Sequence, residues 1–276
     1  MKNRSVENTS VALGTFLPWL VEMGADEVLR DEPVNRLLAQ SPMIVETAPT
    51  VLMAPIFAGP AKPVPLSEVI DPTDIVAAAD RCLQISDIAA ALAEFVAHPL
   101  KKTATRLCFL AGAPNARILV LADKPRNDED RSGAVLAGKH QVLAERLLAA
   151  IGLCGVEPRQ ACEQVVLANF MPWRPPGNRA VTQQEVQLIM PFVHRLLELL
   201  APKLILCFGA LPGQYLAGGD DSITRARGKW LVVQTASGSI PLLTTFHPET
   251  LLKSPQSKRL AWSDLQTFRN RLAEVK

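Results

Sequence analysis

From residue 117 onward, short apolar runs alternate with amphipathic segments, and this alternation restricts the fold more than any other feature. The runs are "RILVLA" (117–122), "QVVLANF" (164–170), "KLILCFG" (203–209), "KWLVVQT" (229–235) and "IPLLTTFH" (240–247). Helical patterns fall over "LAERLLAAIGL" (143–153), "QQEVQLIMPFVHRLLELL" (183–200), "ALPGQYLA" (210–217) and a last stretch near Ser257–Glu274. Strands that alternate with helices build a parallel sheet covered on both faces. The expected class is α/β, a three-layer α/β/α arrangement on a central, mainly parallel sheet. Ligands of such sheets bind beyond the carboxyl ends of the strands. Chemistry is therefore expected in the loops after Ala122, Phe170, Gly209 and Phe246.

The N-terminal third reads differently. Residues 1–40 form a helical extension, with apolar residues at helical spacing from residue 10 and a kink or restart at Pro18. Residues 41–72 are a Pro/Ala-rich linker, "SPMIVETAPTVLMAPIFAGPAKPVPL" within it, part of which is apolar enough to dock on the body. Residues 73–276 are expected to form the α/β domain, opening with an Ala-rich helical stretch. A net charge of +2 gives no nucleic-acid signal by composition, so polyanion contacts must come from local clusters. The five cysteines show no CxxC spacing and lie in apolar surroundings, so buried free thiols in a reducing compartment are expected. No apolar run reaches the ~18 residues of a membrane span, and no leader pattern opens the chain. A cytoplasmic monomer is the expectation.

Three loops carry residues suited to chemistry. "ADKPRNDED" (122–130) puts Asp123 one step past a buried strand, where a carboxylate can orient water. Its acidic run 128–130 reads as a solvated turn capping a helix. "ANFMPWRPPGNRAVT" (168–182) puts the Asn169 amide at a strand end, able to donate and accept toward a planar ring. Arg174 and Arg179 flank a stiff Pro-Pro-Gly turn and suit phosphate, or else a rigid crossover with solvated arginines. "TTFHPETLLKSPQSKRLAW" (244–262) holds His247 before Pro248, followed by Leu251, Leu252 and Lys253. An apolar pair beside cations fits a wedge that enters a base stack; helix-cap packing explains the pair as well.

Together these loops resemble the uracil-DNA glycosylase superfamily, specifically its family 4-type enzymes. The matching stretches are "ADKPRNDEDRSG" (122–133), "ANFMPWRPPGNR" (168–179), "PKLILCFG" (202–209), "RG" (227–228), "TFHPETLLK" (245–253) and "AWSDL" (261–265). The resemblance implies that fold and hydrolysis of the N-glycosidic bond of a uracil, or another deaminated base, flipped out of DNA. It implies Asp123 as the water-activating carboxylate and His247 as the donor to uracil O2. It implies Asn169, Leu136 and Pro125 at the base, and Arg174, Arg179, Leu251, Leu252 and Lys253 on DNA, single- or double-stranded.

The departures from the family pattern cluster in one turn. Asp123 stands for a Glu, which withdraws the carboxylate by roughly 1.5 Å; misplacement on that scale can cost ~10²-fold. Arg126 stands for a Gly, and with Lys124 adds charge that can tie Asp123 into a salt bridge. Leu136 stands for the stacking aromatic, a contact worth ~1–3 kcal/mol. The family's iron–sulfur cysteines are replaced by His98 or a neighbour, Trp173 and Ile189, so no cluster, metal or other cofactor is expected. Weakened excision follows. The alternative is a catalytically inactive, DNA-binding or partner-binding paralogue.

Overall fold

The computed structural model describes residues 72–154, 163–218 and 222–275. The helical extension and linker expected over residues 1–40 and 41–72 lie almost wholly outside these residues. Two short helices come first, α1 (Pro72–Asp80) and α2 (Ile85–Glu94), then β1 (Leu110–Gly112) and β2 (Ile118–Ala122). Next are α3 (Asn127–Ser132), α4 (Gly138–Ala150), β3 (Leu153–Cys154), β4 (Glu163–Asn169) and the long α5 (Gln183–Leu200). The chain continues through β5 (Leu204–Phe208), α6 (Leu211–Ala217), α7 (Ile223–Ala226), β6 (Trp230–Thr235), β7 (Gly238–Thr245), α8 (Pro248–Lys253) and α9 (Ser257–Val275).

The strand order is β1-β4-β2-β5-β7-β6, with β3 pairing the start of β4. The pairs β2–β4, β2–β5 and β5–β7 are parallel; β1 and β6 close the two edges antiparallel. The sheet is thus mainly parallel, as the alternation predicts. The antiparallel edges differ from the parallel expectation because β6 and β7 are joined by a tight hairpin, and β1 is too short to show a period.

Alternation within each strand divides the core. Leu119 and Leu121 of β2, with Ile205 and Cys207 of β5, pack under α1, α2 and α5, where Ile75, Ile88, Phe192 and Leu196 meet them. Ile118, Val120 and Ala122, with Leu204, Leu206 and Phe208, face Leu148 of α4 and Leu265 and Phe268 of α9. Helix α5 starts on a reciprocal cap: Thr182 Oγ1 accepts from Glu185 N at 3.2 Å, and Glu185 Oε2 accepts from Thr182 N at 2.8 Å. Such a cap contributes about 1 kcal/mol.

Cys82, Cys108 and Cys207 are buried free thiols. Cys154 is disulfide-bonded, which corrects the expectation of free thiols throughout. An odd count without a CxxC pair carries no information on a single bridge. No described helix is long and apolar enough to cross a membrane.

Candidate active site

The parallel register brings the expected loops to one edge. Ala122 pairs with Asn169 on one side and with Phe208 on the other, and Phe208 pairs with Thr245. The residues that follow, Asp123, Gly209 and His247, therefore leave the sheet side by side. The turn after β2 is held by its backbone. Asp123 N donates to Phe208 O, Phe170 N to Ala122 O and Met171 N to Asp123 O.

Asp123 points toward the β5–α6 junction. Its Oδ1 accepts from Leu211 N at 3.0 Å, and its carboxylate lies where a side chain on Gly209 would be, 2.1 Å from an added Cβ. With φ +110° at Gly209, only glycine permits this approach. Burial pushes the carboxyl up to about 7, against the pull of the Leu211 hydrogen bond and of Arg126 and Lys124.

The two basic residues beside it do not form the salt bridge expected with Asp123. Lys124 Nζ donates to Asn178 O and Arg179 O, stapling this turn to the "RPPGNR" loop. Arg126 Nε pairs with Glu249 of α8, whose other oxygen accepts from Lys253 at 2.7 Å. Against the cost of burial, Lys253 and Arg126 hold Glu249 down at about 2. Arg126 thus meets a complementary carboxylate rather than the ligand space that its replacement of glycine threatened. Pro125 is buried within the turn.

Asn169 is buried. Its Nδ2 donates to Cys108 O at 2.9 Å and Val135 O at 3.2 Å, and both amide hydrogens are engaged. Those carbonyl partners fix the amide orientation, because a flip would set oxygen against oxygen. Oδ1 is buried with no partner among the described residues. Leu136, next to Val135, is buried in the α4-side core and borders an apolar cavity of about 190 Å³.

His247 caps α8: its Nδ1 accepts from Glu249 N at 3.1 Å. This fixes the hydrogen on Nε2. Burial and then the Arg126 charge drive its pKa down to about 3, so the ring is a neutral donor at physiological pH. The segment carrying it is braced from below. Arg227 and Asp264 form a two-point pair, and Thr245 Oγ1 donates to Asp264 at 2.7 Å. The "RG" and "WSDL" stretches are that brace; Gly228 is required because an added Cβ would fall 2.6 Å from Asp264 Oδ1.

The expected wedge splits. Leu251 is fully buried with Phe246 and Ala261, whereas Leu252 is 39% exposed. A hexamer helix cannot turn adjacent residues to the same face, so Leu251 is corrected to core. Arg179 pairs with Glu185 through two hydrogen bonds, 2.9 and 2.5 Å, anchoring its loop to α5. Arg174 bonds Asn178 Oδ1 at 3.0 Å and sits 3.9 Å from Asp130. Lys253 is the most exposed of these cations.

Reading the acidic run 128–130 as solvated holds only for Asp128. Asp130 is buried and accepts from Thr105 N, Thr105 Oγ1 and Arg106 N. Glu129 is 1% exposed; it accepts from Arg126 N at 3.0 Å and Ala137 N at 3.1 Å, and its Oε1 lies 3.0 Å from His140 Nδ1. The His140 ring stands edge-on to His247, centroids 6.0 Å apart. Sequence reasoning took Glu129 for a solvated turn residue and passed over His140. The one available signal was a histidine in the first turn of a helix shortly after the acidic run.

A family model, described as the uracil DNA glycosylase superfamily, matches residues 109–266, the stretch that holds every side chain of this edge. The chain belongs to the uracil DNA glycosylase superfamily. Type-4 uracil-DNA glycosylases are among its relatives. The one from Archaeoglobus fulgidus is 30% identical over 171 residues, 60% of this chain and 82% of the relative. Those of Sulfurisphaera tokodaii and Thermotoga maritima are each 28% identical, over 57% and 62% of this chain and 71% and 85% of theirs.

The iron–sulfur cluster implied by likeness to type-4 members needs thiolate ligands. Phe95, His98, Trp173 and Ile189 lie together in the core under α5 instead. The His98 ring is 4.6 Å from that of Trp173 and 6.2 Å from that of Phe95. His98 is fully buried, with Nε2 3.0 Å from Glu185 O and Nδ1 accepting from Leu100 N. An engaged imidazole, an indole and hydrocarbon do not fit the cluster. Among the described residues no group of three or more His, Cys, Asp or Glu side chains could hold a metal ion.

Proposed function

We propose that this chain excises uracil from DNA by hydrolysing the N-glycosidic bond of a flipped deoxyuridine. The observation that carries the reading is the pairing of two fixed polarities at one sheet edge: a neutral Nε2–H donor on His247 and an unpartnered buried acceptor on Asn169. As the bond breaks, its electron pair passes to the base and charge gathers on O2. A preorganised neutral donor there stabilises the transition state more than the ground state.

Asn169 Oδ1 accepts and its donors are engaged, so it selects a base with a ring N–H. Uracil N3–H satisfies it. Cytosine presents a lone pair at that atom, leaving two buried acceptors face to face, a mismatch a buried polar site rejects strongly. Asp123, at the same sheet edge, supplies negative charge to steady the cationic carbon that bond breaking creates. DNA is held by Lys253 and Arg174, with Leu252 as the wedge in the vacated stack. The enzyme works as a cytoplasmic monomer without an iron–sulfur cluster or other metal.

The test is release of base from oligonucleotides carrying one uracil, single-stranded and opposite G or A, beside one carrying cytosine. Abasic product from uracil alone, lost in Asn169→Ala and in His247→Ala, is the expected result. DNA binding without product supports the second reading, a non-excising paralogue. That reading draws on the hydrogen bond that ties the short Asp123 side chain to Leu211 N.

A further inference from the structure

We infer that His140, oriented by Glu129, is the base that takes the proton from the attacking water, an assignment that rests on the excision reading above. Three observations lead there. First, one oxygen of Asp123 is engaged and the group is fixed in place: Oδ1 accepts from Leu211 N, and the carboxylate is packed over Gly209. Second, Glu129 is built as an orienting group. Both of its oxygens receive backbone N–H groups, from Arg126 and Ala137, and Oε1 also faces His140 Nδ1 at 3.0 Å. The shared hydrogen therefore sits on Nδ1 and leaves the Nε2 lone pair of the neutral ring free. Third, the ring stands edge-on to His247 with centroids 6.0 Å apart, and its side chain keeps 18% exposure. His140 Nε2 has no hydrogen-bond partner among the described residues.

The arrangement gives the two histidines opposite polarity. Nδ1 of His247 accepts from the backbone, so its Nε2 donates. Nδ1 of His140 donates to a carboxylate, so its Nε2 accepts. One serves the departing base and the other the incoming water, as the two half-reactions require. The C1′–N1 electron pair leaves with the base, which His247 steadies at O2. A water oxygen bonds to C1′ and its proton passes to His140 Nε2. The resulting imidazolium is held by Glu129, then returns its proton to the free base anion. The sum is one water consumed, one abasic sugar and one neutral base formed.

The full chain, a single-uracil oligonucleotide and single-turnover rates provide the test. His140→Gln keeps a donor for Glu129 but has no basic nitrogen. It should lose about 10²-fold or more in the chemical step with DNA affinity unchanged, and His140→Ala should regain rate when imidazole is added. An unchanged rate in His140→Gln, a loss that resides in DNA affinity, or no response to imidazole overturns the assignment while excision stands. Absence of excision by the wild type overturns the excision reading and this one with it. Nitrogen-15 spectra of the ring supply a readout without turnover. The Nδ1–H tautomer is expected, changing in Glu129→Gln, and an Nε2–H tautomer in the wild type overturns the assignment.

Discussion

Asp123 and His247 are displaced from their ordinary ionisation in opposite directions, and burial is the first cause of both. With Asp123 near 7, its carboxylate is only partly ionised at neutral pH. Excision should climb as pH rises through about 7, and Asp123→Asn should be slow with a flatter climb; a pH–rate profile of both proteins checks it. His247 affects folding. Its pKa falls from 6.5 in the unfolded chain to about 3 in the fold, so the unfolded chain binds a proton that the native state refuses. The contribution is fully present above 6.5 and is lost as pH falls toward 3, at up to about 1.4 kcal/mol per pH unit. Urea melts across pH 4–7 should show a shallower acid loss in His247→Gln; His98, also lowered by burial, keeps its own share. At Leu136 the neighbouring cavity leaves room, and Leu136→Phe should fill part of it and speed excision by up to about tenfold through stacking. At this scale Asn169 and His247 were legible, because a polar residue ending an apolar strand stands out. Glu129 was not, because burial of a carboxylate in an acidic run depends on the partners that fold over it.

The β2–α3 turn, the "RPPGNR" loop and α8 behave as one element. Lys124 bonds the second and Arg126 the third. Double-mutant cycles on Arg126→Ala and Glu249→Ala, read by urea denaturation, should give a coupling of about 1–2 kcal/mol for this half-buried charged pair. Single losses should also slow excision, since the turn carries Asp123 and α8 follows His247. The central strands β2, β4 and β5 were readable within a residue or two because they are apolar on both faces. Helices α3, α7 and α8 have six, four and six residues. Each is too short for a 3.6-residue period to emerge, and their positions come from caps and ion pairs with distant segments. The apolar pair at 251–252 was ambiguous for the same reason: only helix geometry decides which leucine turns inward.

At the scale of the whole molecule, the α/β/α order follows from alternation alone, since each central strand must bury both faces. The antiparallel edges and the disulfide at Cys154 did not follow, because neither has a local pattern. Phe95, His98, Trp173 and Ile189 lie together in the core under α5. The purified chain should contain no iron by elemental analysis and show no visible charge-transfer band, and a chelator should leave its Tm unchanged. Bound iron would refute this. The Arg126–Glu249 pair also bears on how such a chain can change over time. Exchanging Arg126 for glycine alone leaves the half-buried Glu249 carboxylate with Lys253 but without its closer partner, and exchanging Glu249 alone strands a half-buried guanidinium. Either first step is worse than the finished double change, so the route back toward a glycine turn runs through a less fit intermediate.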